Sequence, residues 1–300
     1  MTDRLVVCDL DGVVWVGDDV CRGASDAVRR LRAAQCRVLF VTNSAVRSRL
    51  EVADRLGSMG IPTEPGDVIT GAAAGVELLA NRLPIGSRVL TIGTEALRAE
   101  VSGAGFVVVT AAQPGAPRGD VALGIDAVLV GLTDEFCYHD VVLAAASVRA
   151  GAWLVATNAD PSFPHGDGEL PGAGALVAAI ETACGANATV AGKPHFGAYL
   201  ALRRVLDRAG LSRRASTDSA REGTGFGLDP LRVEERVMAI DLDGVVVGDR
   251  RSTDGAFAWG LRWPFIEVRS SSSEPVGDIP VAASVRSLDE AADQICQRLL

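Results

Sequence analysis

Lysine is nearly missing from this sequence: Lys193 is the only one, and every other side chain among the 29 Lys and Arg residues is arginine. Codon usage alone could produce that bias. Yet lysine is a compact point charge and arginine a planar fork, and some sites accept only the former. Histidine is almost as scarce, with His139, His165 and His195 sharing no metal-ligand spacing with each other or with a cysteine, which argues against a zinc centre. The six cysteines, Cys8, Cys21, Cys36, Cys137, Cys184 and Cys296, are scattered and form no C-x-x-C pair, so reduced thiols in a cytoplasmic protein are expected. Acidic residues outnumber basic ones and the net charge is −9. A chain of that sign repels phosphate backbones and anionic lipid, so neither nucleic acid nor a membrane surface is an expected partner. No apolar run reaches the roughly 18 residues that span a bilayer, and Met1-Thr2-Asp3-Arg4 has no basic stretch leading into an apolar one, so a signal peptide is not expected.

The rest of the composition is that of a globular protein. Of 300 residues, 48% are hydrophobic and 22% charged, enough for one large domain or two moderate ones with a sizeable core. Short β-rich runs alternate with helical periodicity. Strands are expected at Arg4–Cys8, Arg37–Thr42, Asp67–Thr70, Arg88–Ile92, Phe106–Thr110, Ala127–Val130, Trp153–Thr157, around Val237–Val247, and at Phe265–Val268. Helices are expected at Ser25–Ala34, Arg47–Met59, a stretch ending near Ala80, Gly197–Ala209 and Leu288–Leu299. That alternation predicts an α/β fold of parallel βαβ units. Ala111–Gly119, Ser212–Asp229 and Ser270–Gly277 read as irregular segments.

Four short motifs carry chemistry. The first strand runs into Asp9-Leu10-Asp11-Gly12. Residues i and i+2 of extended chain point the same way, so Asp9 and Asp11 converge at the carboxyl end of a strand, where α/β folds place their sites. Two carboxylates so close repel unless a cation lies between them or one is protonated, which suits Mg²⁺ or an acid/base pair; an Asx turn is the plainer reading. The second strand ends in Thr42-Asn43-Ser44, either an anion cradle at a helix N-terminus or a simple helix cap. Lys193 stands before a helix in Gly192-Lys193-Pro194, and Gly248-Asp249 is followed by Asp254, itself a candidate helix cap.

In this order (D-x-D-G, T-N, a lone K, then G-D-x-x-x-x-D) the set resembles the haloacid dehalogenase (HAD) superfamily of phosphotransferases. The stretches Phe40–Ala45, Ala156–Asp160, Leu170–Ala175 and Val190–Pro194 are similar to its subfamily of NagD-type and p-nitrophenyl phosphatases, to which glycerol-3-phosphate and phosphoglycolate phosphatases belong. The resemblance implies a Rossmann-like parallel-sheet core with a large inserted α/β cap. The separation of 151 positions from Thr42 to Lys193 leaves room for the insertion, giving core residues 1–83 and 187–300 and a cap at 84–186. It further implies a Mg²⁺-dependent phosphatase that hydrolyses a small phosphorylated metabolite through an aspartyl-phosphate. Asp9 would be the nucleophile and Asp11 the general acid and base. Asp9, Asp11 (by its carbonyl) and Asp249 would hold Mg²⁺. Gly12, Thr42, Asn43, Ser44 and Lys193 would bind the phosphate, Thr42 and Lys193 stabilising the transferring group, and Asp254 would support Lys193 or a metal-bound water. A homodimer is compatible with the sequence. The alternatives are a weakened phospho-ligand binding protein on the same fold, or a sugar or nucleotide phosphatase of the superfamily.

Two features depart from the pattern. Ile240-Asp241-Leu242-Asp243-Gly244 nearly copies the first motif inside an extra segment, Leu211–Asp243, but no lysine follows it, so Asp9 is preferred over Asp241. Ser44 stands where relatives often carry asparagine, and Asp126, Asn158, Asp160, Tyr138, His139 and His165 are further candidates for substrate contact. A dinucleotide-binding enzyme would need G-x-G-x-x-G after the first strand, where this chain has D-L-D-G.

Overall fold

The structure is a computed structural model that describes residues 4–111, 124–165, 168–211, 240, 242–269 and 279–299. Asp241, most of the segment Leu211–Asp243 and the side chain of His165 lie outside the described residues. The chain divides into two compact units: Met1–Val16, Val20–Phe40 and Tyr199–Leu300 form the first, and Gly17–Asp19 with Val41–Ala198 form the second.

The first unit is built on β1 (Arg4–Asp9), followed by the short strands β2 (Trp15–Val16) and β3 (Asp19–Val20), helix α1 (Ala24–Ala33) and β4 (Cys36–Val41), whose last residue opens the second unit's long segment. Near the end of the chain it adds β13 (Gly244–Gly248), α8 (Ala256–Leu261), β14 (Phe265–Val268), β15 (Ala283–Val285) and α9 (Leu288–Leu299). The strands stand in the order β15-β14-β13-β1-β4. β1 pairs in parallel with β13, β13 with β14 and β14 with β15. Strands of a parallel sheet covered on both faces read as unbroken apolar runs, and Leu5-Val6-Val7-Cys8 is buried throughout. Helix α1 buries Ala24, Ala27, Val28 and Leu31, one stripe at helical spacing, and α9 buries Leu288, Ala291, Ala292 and Ile295 in the same way. Arg30 of α1 ties the two helices by donating to the backbone oxygen and carboxylate of Asp289, each at 2.9 Å.

The second unit holds α2 (Arg49–Ser58), β5 (Val68–Ile69), α3 (Gly71–Ala80), β6 (Arg88–Ile92), α4 (Glu95–Gly103), β7 (Val107–Val109), β8 (Ala127–Val130), α5 (Tyr138–Arg149), β9 (Trp153–Ala156), β10 (Ser162–His165), β11 (Gly168–Pro171), α6 (Ala173–Cys184) and β12 (Thr189–Val190). Helix α7 (Phe196–Arg208) starts at its end and continues into the first unit. A five-stranded sheet has the order β12-β9-β8-β6-β7, every pair parallel. Its core joins Leu90, Val128, Val130 and Leu154 of the strands to Leu143 and Ala144 of α5 and Val177 and Ile180 of α6. β10 and β11 form an antiparallel hairpin that periodicity did not reveal, because its Pro- and Gly-rich sequence lacks an apolar alternation.

Most expected elements are present, with ends moved by local chemistry. Helix α2 begins at Arg49 rather than Arg47 because Ser48 caps it: its hydroxyl accepts Glu51 N–H at 3.2 Å, and the Glu51 carboxylate accepts Ser48 N–H at 2.7 Å. The strand expected over Asp67–Thr70 shrinks to Val68–Ile69, since Pro65–Asp67 form a 3₁₀ turn and Thr70 caps α3 by accepting Ala73 N–H. Among the described residues no helix is long and apolar enough to cross a membrane.

Candidate active site

In the first unit, β1 ends in Asp9, which is 9% exposed. Cys8 pairs with Val247, so Asp9 and Gly248 leave the sheet side by side. After Asp9 the chain closes a tight loop: Val14 and Trp15 both donate N–H to Leu10 O, and Gly12 donates to Trp15 O at 2.8 Å. The loop turns Asp11 outward and fixes its carboxylate, which accepts the Trp15 indole N–H at 2.8 Å. Gly12 closes this turn at φ +81°, a conformation that costs glycine little. A β-carbon there would also lie 2.3 Å from Asp249 Oδ2. The second close approach is at Gly248, where a β-carbon would fall 2.3 Å from Asp254 Cβ.

Asp254 sits in a single π-helical turn, Arg251–Gly255, ahead of α8. Such turns recur at functional sites. Asp254 is 1% exposed, and its carboxylate accepts Arg250 N–H at 3.2 Å. It therefore does not cap α8, whose N-terminal residue before the helix is Gly255. One carboxylate oxygen from each of Asp9, Asp249 and Asp254 lies within 4.8 Å of the others. Three acceptor-only groups this close repel as anions, and two of them are too buried for water to screen the repulsion. A hard divalent cation with oxygen ligands fits that donor set, and the two glycines leave space that any side chain would fill. Burial and the Asp249 charge push the Cys21 thiol pKa up.

In the second unit the polar groups follow strand ends as well. Thr42, 5% exposed, comes directly after β4, donates N–H to Ile69 O at 2.9 Å and accepts Ser44 N–H on its hydroxyl at 3.1 Å. Ser44 in turn accepts Gly71 N–H on its carbonyl at 2.9 Å. Thr42 does not cap α2, which Ser48 already serves. Asn43 brackets the backbone of Lys193: its Oδ1 accepts Lys193 N–H at 2.7 Å and its Nδ2 donates to Lys193 O at 3.1 Å. The Lys193 side chain is 5% exposed, and its ammonium donates to Val41 O at 3.1 Å. A buried ammonium is costly unless charge and hydrogen bonds compensate it, so this lysine is no solvated loop charge. Asn158 supports the same strand end by donating Nδ2 to Asn43 O at 2.9 Å.

Each unit thus gathers its own part of the expected set: Asp9, Gly12, Asp249 and Asp254 in the first, Thr42, Asn43, Ser44 and Lys193 in the second. Asp11 is oriented by an indole that the sequence reading did not single out. The signal was available, since Trp15 is the first residue after the D-x-D-G turn whose side chain carries an N–H. Asp126 has a structural role, accepting Arg88 N–H at 2.7 Å, and Tyr138 is 77% exposed.

Comparison with known proteins identifies relatives of the whole chain. Residues 6–107 match the family model described as haloacid dehalogenase-like hydrolase. The chain is 41% identical over 189 residues to a D-glycerol 3-phosphate phosphatase of Mycobacterium tuberculosis, a match covering 63% of this chain but only 50% of that relative. It is 33% identical over 258 residues to a glycerol-3-phosphate phosphatase of Gallus gallus, covering 82% of this chain and 73% of the other. A crystal structure of glycerol phosphate phosphatase from Mycobacterium tuberculosis in complex with calcium superimposes with a TM-score of 0.72 at 33% identity, over 95% of this chain and 74% of that one; the same enzyme is also solved in complex with magnesium. With aspartates ending β1 and β13, a buried lysine, parallel sheets and these similarities, the chain belongs to the haloacid dehalogenase-like hydrolases.

Proposed function

We propose that this chain is a Mg²⁺-dependent phosphoric monoester hydrolase acting on a small phosphorylated metabolite, with glycerol 3-phosphate and phosphoglycolate the leading candidates. The observation that carries the reading is the carboxylate cluster of Asp9, Asp249 and Asp254 at the ends of β1 and β13. The named relatives support the substrate class.

In this reading Asp9 attacks phosphorus. The P–O bond to the alcohol breaks as the Asp9 Oδ–P bond forms, giving an aspartyl-phosphate. Asp11, held by Trp15, gives its proton to the departing alkoxide and then takes one from the water that cleaves the acyl-phosphate, releasing inorganic phosphate and restoring Asp9. Gly12, Thr42, Asn43 and Ser44 bind the phosphate oxygens, and Lys193 supplies the compact positive charge. Phosphoryl transfer gains most from such fixed positioning and electrostatics. Asp9 and Asp249 with the Asp11 carbonyl hold Mg²⁺, and Asp254 supports that set. The cation, when bound, neutralises charge between nucleophile and phosphoryl group.

The division into core residues 1–83 and 187–300 and an α/β cap at 84–186 is part of the proposal; four of the five strands of the second unit's sheet fall within 84–186. A cytoplasmic setting is also part of the proposal, from the scattered cysteines that form no C-x-x-C pair. The test is phosphate release from glycerol, glycolate, sugar, nucleotide and pyridoxal phosphates, with and without Mg²⁺. Turnover of a small polyol or carboxylate phosphate that disappears in excess chelator is the expected result. Full turnover after exhaustive metal removal overturns the metal role, and tight phosphate binding without turnover of any ester overturns the enzyme.

A further inference from the structure

We infer that Arg251 and Glu267 are a positioning pair that holds the aspartate-bearing turn after β13 in the shape a divalent cation requires. The inference rests on the metal role proposed for Asp9 and Asp249.

The turn is short and carries two acids. Asp249 lies two residues before Arg251, and Asp254 three residues after it. Within the turn, Asp254 N–H and Gly255 N–H both reach Arg250 O, at 2.9 and 3.2 Å, and Arg250 N–H reaches the Asp254 carboxylate at 3.2 Å. A π-helical turn is rarer than an α-helical one and recurs at functional sites, so a contact from outside that fixes its start bears on both acids. Arg251 provides that contact. Its Nε donates to Glu267 Oε1 at 2.6 Å and its terminal nitrogen to Oε2 at 2.9 Å, a bidentate fork. The two side chains are only 19% and 13% exposed, so water competes weakly for either.

Glu267 is itself anchored in the sheet. It lies in the middle of β14, in register with Gly248 on one side and Ser284 of β15 on the other. Ser284 donates its hydroxyl to Glu267 Oε2 at 2.5 Å. Gly248 is the residue whose missing β-carbon makes room for Asp254. One rung of the sheet therefore fixes both the space for Asp254 and the carboxylate that clamps its turn. Charge-assisted bidentate pairs specify orientation as well as proximity, and groups that orient metal ligands without touching the ion commonly change metal affinity by about 10–100-fold.

The test is the calorimetric dissociation constant for Mg²⁺, and for Ca²⁺ as a second probe, on the full chain and on Glu267→Gln and Arg251→Lys, with the melting temperature of each in chelator. Both variants should bind either cation about tenfold more weakly. The activation constant for Mg²⁺ should rise by a similar factor, while kcat at saturating Mg²⁺ stays within about threefold. Ser284→Ala, which removes only the outer bond, should have a smaller effect in the same direction. Cation affinities within twofold of wild type in folded variants overturn the pair's role. If Glu267→Gln does not fold, Arg251→Lys, which keeps the charge but loses the fork, decides the matter alone. Failure of the wild-type chain itself to bind either cation would instead overturn the metal role.

Discussion

Both units make room for polar groups with glycines, since a β-carbon on Gly192 would lie 2.7 Å from Asn43 Oδ1, but the second unit adds a side-chain clamp. At the ends of β1 and β13 the acids are given room by what is absent: Gly12 and Gly248 have no β-carbon, and Asp249 and Asp254 occupy the space. At the ends of β4 and β12 the groups are held by what is present, since the amide of Asn43 spans the N–H and carbonyl of Lys193. An atom added at Gly12 or Gly248 meets the acids, as one added at Gly192 meets Asn43, and in the second unit removing the Asn43 amide also strips two partners from the Lys193 backbone. Repelling carboxylates need spacing that a cation can enter, whereas a buried ammonium needs fixed acceptors.

Substitutions can break this contrast in order of effect. Asp9→Asn should abolish turnover with the fold intact, because an amide does not attack phosphorus; circular dichroism and phosphate release together measure it, and near-wild-type activity would remove Asp9 as the nucleophile. Lys193→Arg should lower kcat by roughly two to three orders of magnitude, about 3–4 kcal/mol of transition-state stabilisation. Arginine keeps the charge but neither the size nor the aim, and a variant within about threefold of wild type would reduce Lys193 to a structural cation.

The next pair sharpens the comparison. Gly12→Ala combines a positive φ with a collision against Asp249 and should cost about 1–3 kcal/mol of stability and weaken Mg²⁺ binding. Asn43→Ala strips two partners from the Lys193 backbone and should cost about 1–3 kcal/mol while raising KM rather than the Mg²⁺ requirement. If both variants changed the same parameter, the division of labour between the two regions would fail.

The smallest effects come from titration. Burial raises the pKa of Tyr199 above its ordinary value, so the folded chain keeps a proton that the unfolded chain loses above about pH 10. Stability should fall from there upward by at most about 1.4 kcal/mol per pH unit. On the acid side, burial lowers the pKa of His195, and the hydrogen bonds from Arg251, with a smaller one from Ser284, lower that of Glu267. Both groups bind protons more readily unfolded than folded. Their contributions are therefore present above their ordinary values and are lost as pH falls, first for His195 below about 6.5 and then for Glu267 below about 4.3. Melting temperature measured across pH 3–11 should show both declines, and a flat profile above pH 10 would contradict the Tyr199 assignment.

Much of the fold was legible because parallel strands buried on both faces must be apolar throughout. Arg88–Ile92, Ala127–Val130, Phe265–Val268 and Leu288–Leu299 match the elements found residue for residue. The hairpin β10–β11 and the π-helical turn were not legible, since neither has a periodic apolar signature. The division of residues 1–83, 84–186 and 187–300 rested on the distance between two motifs rather than on any local signal.

The sequence by itself determined which residue types stand at strand ends: the D-x-D-G turn, Thr42-Asn43-Ser44, one lysine, and Gly248-Asp249. Each is a local pattern, and a strand followed by glycine or a small polar residue has few ways to continue. Only the tertiary structure decided which groups act on which. The nearness of Asp254 to Asp9, the indole of Trp15 on Asp11, the embrace of Lys193 by Asn43 and the fork of Arg251 on Glu267 depend on strand register and on bonds that close across up to 150 positions of chain. Such contacts leave no periodic trace, because they are selected by where the packed sheet brings two backbones together.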